Sequence, residues 1–131
     1  SVCVFYIEDD HGVRESTRML LEELGCRVFS FANGQECMQK INQQQPAPDV
    51  VIADHGLPGF SGMELAEKIW EIDISIPFVL VSGQSLKAFA DPSENGKNFT
   101  FLQKPYSPED LIRSIGTVTA QKGQEFTGIS S

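Results

Sequence analysis

The sequence predicts an α/β fold: a doubly wound parallel sheet of five strands, in the order 2-1-3-4-5, with helices on both faces. Three observations predict it. Short apolar runs recur as continuous stretches rather than alternating ones, as expected of strands covered on both faces. Segments of helical period separate these runs, giving β then α five times over. The chain has 131 residues and is 40% hydrophobic, which suits one domain with one core.

Residues 2–7 form the first apolar strand. Val13, Thr17, Leu20, Leu21 and Leu24 then recur at helical spacing, and Gly25 supplies a C-cap. Residues 27–31 are the second strand, and Asn33 with Glu36 forms an N-cap pair opening a helix to about residue 43. The third strand spans residues 49–53. Ser61-Gly62-Met63-Glu64 is a capping box, with Met63, Ala66, Ile69 and Trp70 as the apolar stripe behind it. Residues 78–81 are the fourth strand; residues 84–97 make a poor helix, broken by Asp91-Pro92 and Asn95-Gly96. Residues 99–102 are the fifth strand. Ser107-Pro108-Glu109-Asp110 then caps a last helix whose Leu111, Ile115 and Val118 face inward. Beyond Ala120 the chain is polar and Gly-rich, so residues 1–120 are expected to be the domain and 121–131 a flexible tail or linker.

Composition narrows the function. A net charge of -8 argues against nucleic acid as a direct partner, since phosphate backbones need a basic face. No apolar stretch approaches the ~20 residues that span a bilayer, and no signal peptide is visible. The chain starts without Met and enters a strand at once, as expected of an excised or processed fragment. Cys3, Cys26 and Cys37 have no CxxC spacing and are expected to be reduced core thiols in a cytoplasmic domain.

The strand exits carry the chemistry. Glu8-Asp9-Asp10 ends the first strand, Asp54 the third, Ser82 the fourth and Lys104 the fifth. In the predicted order the first and third strands are neighbours at the switch point, where ligands bind at carboxyl ends. Glu8, Asp9 and Asp54 are therefore expected to converge, flanked by Ser82 and Lys104. Asp10 reads better as a helix-entry acid, although an Asp9/Asp10 pair is the alternative register. Three clustered carboxylates repel one another unless a cation compensates, and an oxygen-only set favours Mg²⁺. With Mg²⁺ and Lys104 the formal charges sum to zero. Asp54 is then the natural nucleophile toward a phosphoryl group, with Lys104 and the Ser82 hydroxyl on the other phosphate oxygens. His55 reads as a loop histidine and Trp70 as a core aromatic. An aspartyl phosphatase would carry Asp-x-Asp at the first strand, and a nucleotide module a Gly-rich loop there; neither is present.

Four motifs in this order resemble the receiver (phosphoacceptor) domain of response regulators in two-component signalling, over residues 2–118. They are Glu8-Asp9, the run Asp54-His55-Gly56-Leu57-Pro58-Gly59-Phe60-Ser61-Gly62, Ser82-Gly83 and Lys104-Pro105. The resemblance implies a flavodoxin-like (βα)5 three-layer sandwich. It also implies that Glu8, Asp9, Asp54 and the backbone carbonyl of Gly56 hold Mg²⁺ or Mn²⁺. Asp54 would be phosphorylated, Ser82 and Phe101 would act as the switch pair, and Pro105 would follow a cis peptide bond. The phosphate donor would be a histidine kinase or a histidine phosphotransfer protein, and the domain would catalyse its own phosphorylation and dephosphorylation. A degenerate receiver acting only through contacts is the alternative. The resemblance also implies a cytoplasmic domain, whether or not the parent protein is membrane-tethered. A phosphorylation-dependent dimer is one assembly compatible with it.

Two stretches, Leu80-Val81-Ser82-Gly83-Gln84 and Phe101-Leu102-Gln103-Lys104-Pro105-Tyr106-Ser107-Pro108-Glu109, resemble the C-terminal receivers of hybrid sensor histidine kinases. An end without an output domain is expected of that subgroup. The chain departs from the family in three places. Glu8 stands where Asp is commonest, Ser82 replaces the commoner Thr, and residues 84–97 are broken where the family carries its fourth helix.

Overall fold

The structure is a computed structural model that describes residues 1–120 and Phe126; the expected tail otherwise lies outside the described residues. Its elements are β1 (Cys3–Ile7), α1 (His11–Glu23), β2 (Arg27–Phe31), α2 (Gly34–Gln43), β3 (Val50–Asp54), α3 (Gly62–Ile72), β4 (Phe78–Ser82), β5 (Phe99–Gln103) and α4 (Pro108–Ala120). All strand pairs are parallel and the order is β2-β1-β3-β4-β5, as expected.

Successive strand residues point to opposite faces, and both faces are apolar. Phe5, Ile7, Val51, Ala53, Phe78 and Leu80 meet α2 and α3 on one side. Val4, Tyr6, Val50, Ile52, Val79 and Val81 meet α1 and α4 on the other, where Phe126 is also packed. The result is three layers, with the sheet buried between two helical layers. Each helix begins at a side chain that satisfies its free amides. Asp10 accepts from the Val13 amide, Asn33 from Glu36, and Ser61 forms a full capping box with Glu64. Ser107 and Asp110 exchange the same reciprocal bonds at 3.0 and 3.1 Å before α4. Trp70 is buried as expected, its indole N–H donating to the Ile76 carbonyl at 2.9 Å. Cys3, Cys26 and Cys37 are buried and free. No helix among the described residues is long and apolar enough to cross a membrane.

Four details differ from the sequence reading. The fourth crossover has no α-helix: two 3-10 turns, Leu86–Ala88 and Pro92–Asn95, take its place. Pro92 starts the second turn and Gly96, at φ 80°, ends it, so the helical register cannot propagate to β5. The pattern is thus five strands with four helices. The third strand is displaced by one residue: Asp49 precedes it, its carboxylate accepting from the Cys3 amide at 2.7 Å, and Asp54 is its last residue. Val13 is 43% exposed, because the first turn of α1 overhangs the carboxyl edge of the sheet and has no core beneath it. On α3, Leu65 is fully buried whereas Met63 is only partly so.

Candidate functional site

Ile7 of β1 lies in register with Ala53 of β3, so the residues that follow, Glu8 and Asp54, leave the sheet side by side at its carboxyl edge. Glu8, Asp9 and Asp54 each place a carboxylate oxygen within 4.8 Å of the others. Asp10 stands apart: its carboxylate caps α1 through the Val13 amide at 3.0 Å. The geometry therefore groups Glu8 with Asp9, not Asp9 with Asp10. Glu8 is 4% exposed and accepts from the Asp10 amide at 3.1 Å, while Asp9 is open to solvent.

Lys104 leaves β5 toward this cluster. Its Nζ lies 3.3 Å from Asp54 Oδ2 and 4.0 Å from Glu8 Oε1. Its amide is bonded to the Ser82 carbonyl at 2.8 Å, which ties the two strand exits together. The Lys104–Pro105 peptide bond is cis. Glu8, Asp54, Lys104 and Tyr106 wall a cleft of about 430 Å³, with Tyr6 and Val13 completing it. Gly56 follows His55 in the loop after β3 and is exposed, and a Cβ built on it would meet nothing within 4 Å.

Three carboxylates against one ammonium leave this corner two charges negative. The donors are all oxygen, one is buried, and the cleft is open, which fits a hard divalent cation that keeps some of its waters. Burial is the main cause that pushes the Glu8 carboxyl above its ordinary value of 4.5, with the adjacent Asp9 carboxylate and the Asp54 charge adding to it. A raised folded-state pKa means that Glu8 favours folding fully below its unfolded pKa and loses that contribution as pH rises through the folded one. In metal-free buffer, wild type should therefore lose thermal stability relative to Glu8→Gln as pH rises from about 4.5. Mg²⁺ should restore much of the loss. Parallel pH profiles for the two proteins would contradict this account of Glu8.

The two remaining expected residues sit back from the cleft. Ser82 is 5% exposed, and its hydroxyl oxygen accepts from the Gln84 amide at 3.0 Å. Phe101 is partly buried, its ring 5.9 Å from that of Phe89. Phe89 in turn packs edge-on against His55 at 4.6 Å, although it belongs to the broken fourth crossover. His55 is a loop residue as read from sequence, but Phe89 covers its ring and its Nδ1 is buried without a hydrogen-bond partner. Sequence reasoning missed one contributor. Arg14 donates from Nη1 to the carbonyls of Glu8, at 2.7 Å, and Asp9, at 3.4 Å, and so holds the acidic loop from α1. An arginine that bonds main-chain carbonyls leaves no partner motif to find.

The family model for the response regulator receiver domain matches residues 4–116. The C4-dicarboxylate transport transcriptional regulatory protein DctD of Pseudomonas aeruginosa is 30% identical over 112 residues, covering 86% of this chain and 24% of that protein. The sensor kinase CckA of Brucella abortus is 29% identical over 115 residues, covering 88% of this chain and 12% of that protein. The chain thus spans a quarter or less of the length of these two relatives. A solved receiver domain protein from Clostridium thermocellum superposes with a TM-score of 0.85 at 24% identity, covering 94% of this chain and 98% of that one. That likeness speaks for the fold, and the converged acids and lysine speak for the site.

Proposed function

The chain belongs to the response regulator receiver domain family, and from that premise we propose that Asp54 is the residue phosphorylated and that its neighbours catalyse the transfer. The observation that carries this reading is the convergence of Glu8, Asp9, Asp54 and Lys104 at the switch point of the sheet. A carboxylate oxygen of Asp54 attacks the phosphorus of a phosphohistidine donor. A P–O bond forms, the P–N bond breaks, and its electron pair leaves with the imidazole. The Lys104 ammonium, already 3.3 Å from Asp54, passes to an oxygen of the incoming phosphoryl group. The Ser82 hydroxyl leaves the Gln84 amide and donates to another, and Phe101 follows it inward as the second member of the switch. A bound Mg²⁺ or Mn²⁺, held by Glu8, Asp9, Asp54 and the Gly56 carbonyl, would supply charge neutralisation at the phosphoryl oxygens.

The donor would be a histidine kinase or a histidine phosphotransfer protein. Relatives that include a transcriptional regulator and a sensor kinase are compatible with either parent architecture, and the hybrid-kinase context is supported by the motif resemblance and by the sensor kinase among the relatives. The intact acids and lysine favour an active receiver over a degenerate one. Incubation with Mg²⁺ and acetyl phosphate, followed by intact mass spectrometry, tests the proposal. One hydroxylamine-labile phosphoryl adduct is expected, absent without the metal and in Asp54→Asn. A wild-type chain that gains no adduct at saturating Mg²⁺ sinks the active-receiver reading.

A further inference from the structure

With no fourth helix, a groove lies between α3 and the two 3-10 turns of the fourth crossover. Its inner part, about 500 Å³, runs between His55, Met63 and Trp70 on one side and Phe89 on the other. An outer part of about 320 Å³ shares Glu67, Trp70 and Lys97 with it and continues to Glu71 and Ile74. The groove thus follows α3 from the residue beside Asp54 to the far end of the helix. Eleven residues at ~1.5 Å per residue make roughly 16 Å, the length of three helical turns.

The lining is an apolar floor with an acidic edge. Trp70, Phe89 and Met63 form the floor, and Ile74, 62% exposed, extends it at the outer end. Glu64, Glu67 and Glu71 recur along the same stripe of α3 and all three are exposed. Among the described residues none of them makes an ion pair, and Lys97 is the basic residue in the lining, drawn over the Trp70 ring at 5.9 Å. The last turn of α3 has no basic residue, so the negative end of its dipole adds to the field of Glu71. At the inner end the His55 Nδ1 lacks a hydrogen-bond partner.

We propose that this groove docks a basic amphipathic segment of a partner protein, apolar side chains against Trp70 and Phe89 and Arg or Lys against Glu64, Glu67 and Glu71. Charge decides the occupant. A second copy of this chain would bring another net charge of -8 to an acidic rim, and nucleic acid would be repelled. Asp54 does not line the groove, so without a phosphodonor Asp54→Asn should bind as wild type does, whether or not Asp54 proves to be the acceptor.

Trp70 is the single tryptophan of the chain, and its emission reports directly on the groove. The probe is a synthetic helical peptide about three turns long, leucine on one face and arginine along its edge. Titration should change Trp70 emission saturably, and a twin peptide with glutamate for arginine should not. Affinity should fall about fivefold in the Glu67→Gln/Glu71→Gln protein. The charge-matched Glu23→Gln/Glu109→Gln protein, altered at exposed sites away from the groove, should keep wild-type affinity. Absence of a saturable change, or equal weakening in both double variants, would overturn the proposal. The second result would mean general attraction to an acidic chain.

Discussion

Gly62→Ala is expected to lower the unfolding free energy by about 2–3 kcal/mol and to slow phosphoryl transfer roughly tenfold. A Cβ at this position would lie 2.5 Å from the Asp54 carbonyl oxygen and 2.8 Å from Leu80 Cδ1. Gly62 opens α3, and its amide donates to the His55 carbonyl at 3.0 Å, so the helix start rests directly on the main chain of the strand end. The leucine can turn aside, whereas the backbone of Asp54 cannot move without carrying its carboxylate along. The methyl group therefore acts twice, as overpacking in the fold and as misplacement in the site. Chemical denaturation measures the first effect and acetyl phosphate kinetics at saturating Mg²⁺ the second. Unchanged stability and rate would show that α3 lifts from the sheet without cost.

Lys104→Met is expected to leave the chain folded while slowing transfer on the order of a hundredfold, the size of effect seen when one preorganised charge donor is removed. Among the described residues Lys104 makes the two ion pairs to this cluster, one to Asp54 and one to Glu8. Its side chain is 40% exposed, so the pairs contribute little to stability and the loss falls on the reaction. The variant also leaves Glu8, Asp9 and Asp54 with no ammonium among them. Its thermal shift on adding Mg²⁺ should accordingly exceed that of wild type. Normal transfer kinetics would refute the role given to Lys104.

The parts of the fold set by neighbours in sequence are legible in the chain itself. The caps at Asn33, Ser61 and Ser107 answer to residues three places on, and the buried strands declare themselves as unbroken apolar runs. The convergence of Glu8, Asp54 and Lys104 was also legible, since strand order alone brings their strand ends together. The register of the acids was legible only in part: Asp10 read better as a helix-entry acid, and its bond from the Val13 amide is what separates it from the Glu8-Asp9 pair. Ser82 announced a hydroxyl at a strand end, but its bond to the Gln84 amide depends on a local turn that no motif encodes. Nothing in the sequence singles out Phe89, because its two ring partners, His55 and Phe101, lie far away along the chain. Val13 satisfied the helical period and still faces solvent, since periodicity does not say where the sheet beneath it stops.

The two 3-10 turns of the fourth crossover have a consequence of their own. The amides of Ala88, Phe89, Glu94, Gly96 and Lys97 bond only to carbonyls a few residues back, and no residue of either turn is buried. β4 and β5 on either side are held by the full ladder of the sheet. Such a segment is expected to open locally before the domain does, and hydrogen exchange at these amides measures how readily. It is a store of conformational entropy set between the Ser82 hydroxyl and the α3 groove. Whichever event stills it first, recruitment of Ser82 to a phosphoryl group or capture of a segment in the groove, makes the other less costly. The two can then be coupled cooperatively without any helix changing position.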